Sequence, residues 1–247
     1  MIAFAQVSDV HIGLGEEAER RARRVFARLA ALPVPVDAVL VTGDIADHGD
    51  RAEYVIAREL FDSVPYPVFS CPGNHDDRSG YTEVLLGEDF DGGPINRVHI
   101  AGDTVFALCD STVPGEPGGY LADDTLAWLS TVLEEAPRDA PVVVAFHHPP
   151  VDIHAPFLDG IRQTGEARLA EVLRGRENVV ALLCGHAHTP AATTFAGLPL
   201  VIAPSVVSTV VLPWDGEGVV DFEPPPALAI HILDDARRLI THFRVVL

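Results

Sequence analysis

Lysine is absent. All 17 cationic residues are arginine, set against 36 aspartates and glutamates, which leaves a formal charge of −19. A chain so short of positive charge is not built to coat nucleic acid, which takes clustered cations that displace counterions from phosphate. An anionic substrate would have to be met by bound metal ions instead. Cysteine is scarce as well: Cys71, Cys109 and Cys184 are odd in number and unrelated in spacing. That excludes a disulfide framework and suits a reducing, cytoplasmic compartment. No apolar run reaches the roughly 18 residues of a membrane helix; the longest stretch, residues 198–212, is broken by Pro199, Pro204 and several hydroxyl side chains. The start, Met1-Ile2-Ala3-Phe4-Ala5, has no basic n-region, so neither a signal peptide nor membrane insertion is expected.

At 48% hydrophobic and 21% charged, the chain has enough apolar surface for a real core and is no disordered tail. With 247 residues and no shift of composition along the chain, one domain over residues 1–247 is expected. Short β-branched runs end repeatedly in polar clusters and are followed by amphipathic stretches. Residues 2–7 read as a strand, and Ala18, Ala22, Val25, Phe26, Leu29 and Leu32 then recur at helical spacing. Residues 38–41 and 51–61 repeat the alternation, which is the order of an α/β fold. Residues 97–100 and 104–109, flanking Ala101-Gly102-Asp103, predict a hairpin. Helices are predicted around Leu126 to Leu133 and over 166–173, strands over 67–71, 142–146 and 179–184, and strands throughout the last third. The Gly-, Pro- and acid-rich residues around 213–226 read as a long excursion loop. Two sheets packed face to face and flanked by helices are the expected architecture.

The chemistry gathers at five predicted strand ends. Asp9-Val10-His11 sets two potential ligands one residue apart, which an extended segment would aim to the same side. Gly43-Asp44-Ile45-Ala46-Asp47 follows the second strand and Gly73-Asn74-His75-Asp76 the third. His147-His148-Pro149-Pro150 and Gly185-His186-Ala187-His188 close two later ones. Singly, each reads as an ordinary turn or a hydrogen-bonded histidine. Five at successive strand ends, where α/β sheets build ligand crevices, point to a metal site. Two Asp, one Asn and four His supply oxygen and nitrogen without thiolate, a set that suits Mn, Fe, Zn or Co. Seven ligands exceed one ion's needs and suit two ions about 3.5–4 Å apart, sharing a carboxylate and a hydroxide.

The motifs D-x-H, G-D-x-x-D, G-N-H-D, H and G-H-x-H, in this order, resemble the calcineurin-like metallophosphoesterase superfamily over nearly the whole chain. Asp44 through Gly49, Pro72 through Arg78, Asp110 through Gly115 and Phe146 through Pro150 are similar to bacterial class III cyclic-nucleotide phosphodiesterases. The resemblance implies a four-layer α-β-β-α sandwich of two mixed sheets. It implies that Asp9, His11 and His188 hold one ion, that Asn74, His147 and His186 hold the other, and that Asp44 bridges them. Within the histidine pair, His147 is the first choice and His148 the second. His75 would face the substrate phosphate as a proton donor, with Asp47 and Asp76 orienting their neighbours and Asp76 setting the tautomer of His75. The implied cofactors are two divalent or mixed-valence ions, Mn or Fe first and Zn or Co next.

The activity expected is hydrolysis of small anionic phosphodiesters, cyclic nucleotides first, by attack of a metal-bridging hydroxide on phosphorus. The alternatives are a glycerophosphodiesterase, a phosphomonoesterase or a nucleotide pyrophosphatase, and, from another class, a non-catalytic scaffold. The −19 charge argues against a DNA nuclease. The strand-rich final third is the place for a homodimer edge. The Arg20, Arg21, Arg23, Arg24 run reads as a solvated helix face paired with Glu16, Glu17 and Glu19. Cys184 reads as a small buried strand residue, and Trp214 and Phe222 as pinning their loop to the core.

Overall fold

Each apolar run becomes a strand and each 3.6-periodic stretch a helix in the computed structural model, which describes residues 1–247. In chain order the elements are β1 (Ile2–Val7), α1 (Glu16–Ala30), β2 (Ala38–Thr42), α2 (Arg51–Asp62), β3 (Val68–Cys71) and α3 (Arg78–Gly80). A π-helical turn, Tyr81–Leu86, extends α3. Then come β4 (Arg97–Ala101), β5 (Thr104–Leu108), β6 (Gly119–Tyr120), α4 (Asp123–Glu135), β7 (Val142–Ala145), α5 (Pro156–Asp159), β8 (Gln163–Thr164), α6 (Glu166–Leu173) and β9 (Val179–Cys184). The last part holds β10 (Ala191–Phe195), β11 (Leu198–Ile202), β12 (Thr209–Val210), β13 (Val220–Asp221), β14 (Ala227–Leu233) and β15 (Leu239–Val245). None of the helices is long and apolar enough to cross a membrane.

One sheet runs β15-β14-β1-β2-β3 and the other β10-β11-β9-β7-β5-β4. The strands β1, β2 and β3 are parallel, as are β5, β7, β9 and β11 in the other sheet. Antiparallel strands form the flanks: β14 and β15 at one edge of the first sheet, and β10 and β4 at the two opposite edges of the second. Both faces of the central strands are covered, which is why β7 and β9 read as unbroken apolar runs. Val25, Phe26 and Leu29 of α1 and Tyr54 of α2 pack on the first sheet, and Leu129, Leu133, Leu169 and Leu173 of α4 and α6 pack on the second. Phe4, Phe69, Phe106, Val143 and Leu183 fill the space between the sheets. The layers are therefore helix, sheet, sheet, helix, as expected.

A chain of polar groups crosses the inter-sheet core. Gln6 Nε2 donates to Thr42 Oγ1 (2.9 Å) and to the Cys184 carbonyl (3.0 Å), tying β1 to β2 and to β9 of the other sheet. With both amide protons engaged, Gln6 Oε1 accepts from His231 Nε2 (2.9 Å), and His231 Nδ1 then accepts from the Thr241 hydroxyl (2.9 Å).

Two expectations about side chains are corrected. Arg20, Arg21 and Arg23 do pair with glutamates of α1, but Arg21 is buried rather than solvated and also donates to the Val207 (2.9 Å), Pro224 (2.8 Å) and Phe222 carbonyls. A guanidinium can satisfy several carbonyls at once where a loop folds back on a helix. Trp214 and Phe222 do not pin that loop: they are 73% and 54% exposed. Arg21 and the short β12–β13 pairing hold it instead.

Burial lowers the pKa of His231 from 6.5 to about 3. The folded value lies below the unfolded one, so the unfolded chain takes up this proton first. The contribution is fully present above pH 6.5 and is lost as pH falls from 6.5 toward 3. In His231→Gln the slope of unfolding free energy against pH in that window should therefore drop by up to one proton, about 1.4 kcal/mol per pH unit. Urea titrations between pH 4 and 6.5 measure it; equal slopes in variant and wild type would mean that His231 titrates normally in the fold.

Candidate metal centre

The carboxyl ends of β1, β2, β3, β7 and β9 deliver their polar turns to one place. Val10 N and His11 N both donate to the Asp44 carbonyl (2.8 and 2.9 Å), which locks the turn after β1 against the turn after β2. Convergence does not come from strand alternation, as the Asp-x-His spacing suggested. Asp9, His11, Asp44, His186 and His188 all take left-handed φ, between +46 and +68°. Such conformations cost a non-glycine residue on the order of 1–3 kcal/mol and persist where the surroundings dictate them. Close approach needs glycine beside them: a Cβ on Gly73 would stand 2.4 Å from Asp44 N, and one on Gly185 2.5 Å from the Thr42 carbonyl.

Two groups of side chains able to hold metal ions result. Asp9, His11, Asp44 and His188 form one, and His147, His148 and His186 the other. In the first, His188 Nε2 lies 3.3 Å from Asp9 Oδ1 and 3.2 Å from His11 Nε2. In the second, His147 Nε2 lies 3.3 Å from His186 Nδ1. Asp44 Oδ2 stands between the groups, 3.3 Å from His147 Nε2 and 3.6 Å from His11 Nε2. Asn74 reaches the second group, its Oδ1 3.1 Å from His148 Nε2. All the sequence-derived ligand positions are thus brought together.

The outer nitrogens explain how the rings are aimed. His11 Nδ1 donates to Asp47 Oδ1 (2.8 Å), His147 Nδ1 donates to the Thr42 carbonyl (2.7 Å), and His188 Nδ1 meets Ser208 Oγ (2.7 Å). Each bond leaves Nε2 as a lone pair directed inward, the arrangement a metal-binding imidazole needs. Those lone pairs face one another and two carboxylates. Asp9 Oδ2 and His186 Nε2 are buried with no hydrogen-bond partner at all. The facing lone pairs of His11 and His188 and the bare Asp9 oxygen are acceptors without donors, costly unless a cation lies among them, so the residues present fit divalent ions. Titration agrees. Burial opposes charge on His147, but the Asp44 carboxylate outweighs it and pushes the pKa up to about 9. His186, desolvated and beside His147, drops to about 3. Asp44 thus draws positive charge toward itself, while burial keeps it off His186.

His75 sits at the open side, 42% of its side chain exposed. Its Nδ1 donates to the Asp47 carbonyl (2.8 Å), and its backbone N–H donates to Asp44 Oδ1 (2.9 Å). The expectation that Asp76 sets the His75 tautomer is corrected. Asp76 accepts from Gly73 N (2.8 Å), Ala46 N (3.0 Å), Ile45 N (3.2 Å) and Tyr54 Oη (3.2 Å), which leaves it no reach to His75. Buried, and beside Asp44, it has a pKa raised to about 6. Its work is to staple the turn after β3 to the turn after β2. Ser208, Ser111 (2.8 Å from His148 Nδ1) and the Thr42 carbonyl escaped the sequence reading, since nothing in a lone serine or a strand-end carbonyl marks it as a histidine's partner.

Among known proteins, the model of the family described as calcineurin-like phosphoesterase matches residues 2–190. A probable cyclic nucleotide phosphodiesterase of Rhodococcus erythropolis is 34% identical over 83% of this chain and 71% of its own. A glycerophosphodiester phosphodiesterase of Enterobacter lignolyticus is 33% identical over 83% of this chain and 75% of its own. In three dimensions, a dimetal phosphatase from Danio rerio superposes with a TM-score of 0.75 at 18% identity, covering 100% of this chain and 96% of that one.

Replacing Ser208 by alanine removes the partner of His188 Nδ1 and should weaken divalent metal binding by roughly 10- to 100-fold. Competition against a chromophoric chelator measures this, with circular dichroism reporting the fold. Unchanged affinity would mean that His188 does not depend on that hydroxyl.

Proposed function

The chain belongs to the calcineurin-like phosphoesterase family, and we propose that it is a two-metal phosphodiesterase acting on small diesters of the cyclic-nucleotide type. The observation that carries this reading is the set of inward lone pairs and orphaned acceptors around Asp44. A scaffold would have no use for an arrangement that destabilises the empty fold. In this reading the chain acts as one domain, since its ligands come from both sheets. Asp9, His11 and His188 hold one ion, and Asn74, His147 and His186 the other, with Asp44 shared. His147 is preferred over His148 because its Nε2 lies 3.3 Å from Asp44 Oδ2, whereas His148 Nε2 is turned to Asn74. The donor set favours Mn or Fe, then Zn or Co.

When bound, the ions supply the positive charge that lets an anionic diester meet a nucleophilic water. The protein supplies position. The bond from His75 Nδ1–H to the Asp47 carbonyl fixes the ring and leaves Nε2 facing the cleft. Doubly protonated, His75 donates from Nε2 to a phosphate oxygen or to the alkoxide released as the P–O bond breaks, and recovers the proton from solvent. Asp76, through three backbone amides, keeps Asn74 and His75 in register with Asp44. The glycerophosphodiesterase reading shares this centre and differs only in the leaving group. The three free, buried cysteines fit a cytoplasmic setting. The outer edge of β15, with Ile240 and Val245 exposed, is the surface offered to a second copy.

Metal-stripped protein should not hydrolyse bis(p-nitrophenyl) phosphate or cyclic AMP, and Mn²⁺ should restore both activities. Asp44→Asn should abolish them together with stoichiometric metal uptake. His75→Ala should keep its metal while kcat falls by about 10²–10⁴. Mn²⁺-loaded protein inert toward both esters, with Asp44→Asn indistinguishable from wild type, would overturn the reading.

A further inference from the structure

A cavity of about 400 Å³ opens beside His75 and Asn74, within the size range of small-molecule sites. Its walls come from the turn after β3, the segment that precedes β4, and residues 112–115 after β5. The wall is built in advance. Asp110, fully buried, accepts from Arg78 Nε (2.8 Å) and Ile95 N (2.9 Å), while its other oxygen takes Thr112 N and Oγ1. Arg78 Nη2 also donates to the Thr112 carbonyl (2.9 Å). The one guanidinium lining the cavity is therefore already paired with a buried carboxylate, which offsets its charge toward a second anionic group.

Phe90 lines the same cavity. It is half-buried, joins none of the three apolar clusters and stacks on no other ring. An aromatic ring that the core does not use, lining one cavity with Val113, Pro114 and His75, is a face for another flat ring. A phosphate or pyrophosphate leaving group would find no free cation there. A glycerol would fill little of the space and gain nothing from Phe90.

We propose that this cavity is the subsite for the non-phosphoryl part of the substrate, that it takes an uncharged nucleoside, and that Phe90 is its base-stacking residue. The proposal rests on the phosphodiesterase reading above. Its test uses the Mn²⁺-loaded full chain, with methyl p-nitrophenyl phosphate as reporter and adenosine 5′-monophosphate, inorganic phosphate, glycerol 3-phosphate and phosphocholine as inhibitors. In wild type, adenosine monophosphate should inhibit at least tenfold more tightly than the other three. Phe90→Ala should erase that advantage by raising its inhibition constant about tenfold, with the constant for inorganic phosphate within twofold, which also shows the variant folded. Phe90→Trp should restore it. Equal inhibition by all four, an advantage that survives Phe90→Ala, or a preference for phosphocholine, which would mark a cationic headgroup site near Asp77, overturns the proposal. Failure of the metal-loaded protein to cleave the reporter is a different result: it removes the phosphoesterase reading and the subsite with it.

Discussion

Asp44 is the point on which the other parts of the molecule bear. Its backbone carbonyl receives the two amides that close the turn after β1, one carboxylate oxygen holds the His75 amide, and the other lies between His147 and His11. A buried carboxylate so placed is tolerable only with positive charge around it, and three imidazoles with inward lone pairs do not provide that charge unless cations join them. The fold holds Asp44 in a left-handed conformation, with Gly73 pressed against it, for this purpose. Strain and electrostatic deficit are both concentrated at the site, where divalent ions would offset them.

The remaining architecture keeps the two sheets in a fixed relation under that point. Gln6, fixed from behind by His231, binds Thr42 and Cys184, the last residues of the strands that lead to Asp44 and to His186. Ser8 donates to the Thr42 carbonyl (3.0 Å), the same oxygen that orients His147. From the helical layer, Arg21 grips the carbonyl of Val207, one residue before Ser208 and its contact with His188. A packed core transmits such constraints because it has little room to relax. Ligand geometry is thereby set by groups well outside the coordination sphere.

Chemistry and selectivity divide between neighbouring regions. The cluster around Asp44 carries the chemistry common to a phosphoesterase. The cavity walled by Phe90 and the Arg78–Asp110 pair lies beside it, and the proposed subsite would tell one leaving group from another there. The strong negative charge of the chain fits this division. With no lysine and a formal charge of −19, the chain offers little cationic surface to a polyanion.

The α/β order, the longer strands to within a residue or two, and the strand-end motifs that converge on one cluster were legible in the sequence, because burial imposes period 2 or 3.6 and metal chemistry restricts residue types. What the sequence left open are relations between residues without local signature. It could not tell that Asp9 and His11 converge through left-handed turns, since φ depends on the hydrogen bonds closing each turn. It misjudged Arg21, because a helical charge run looks the same whether a returning loop covers it or water does. It assigned Asp76 to His75 from adjacency, whereas adjacent side chains point apart and the amides of another strand's turn claimed the carboxylate. Residue chemistry is local and can be read along the chain; the choice of partner is a matter of distance in space, and only the packed sheets decided it.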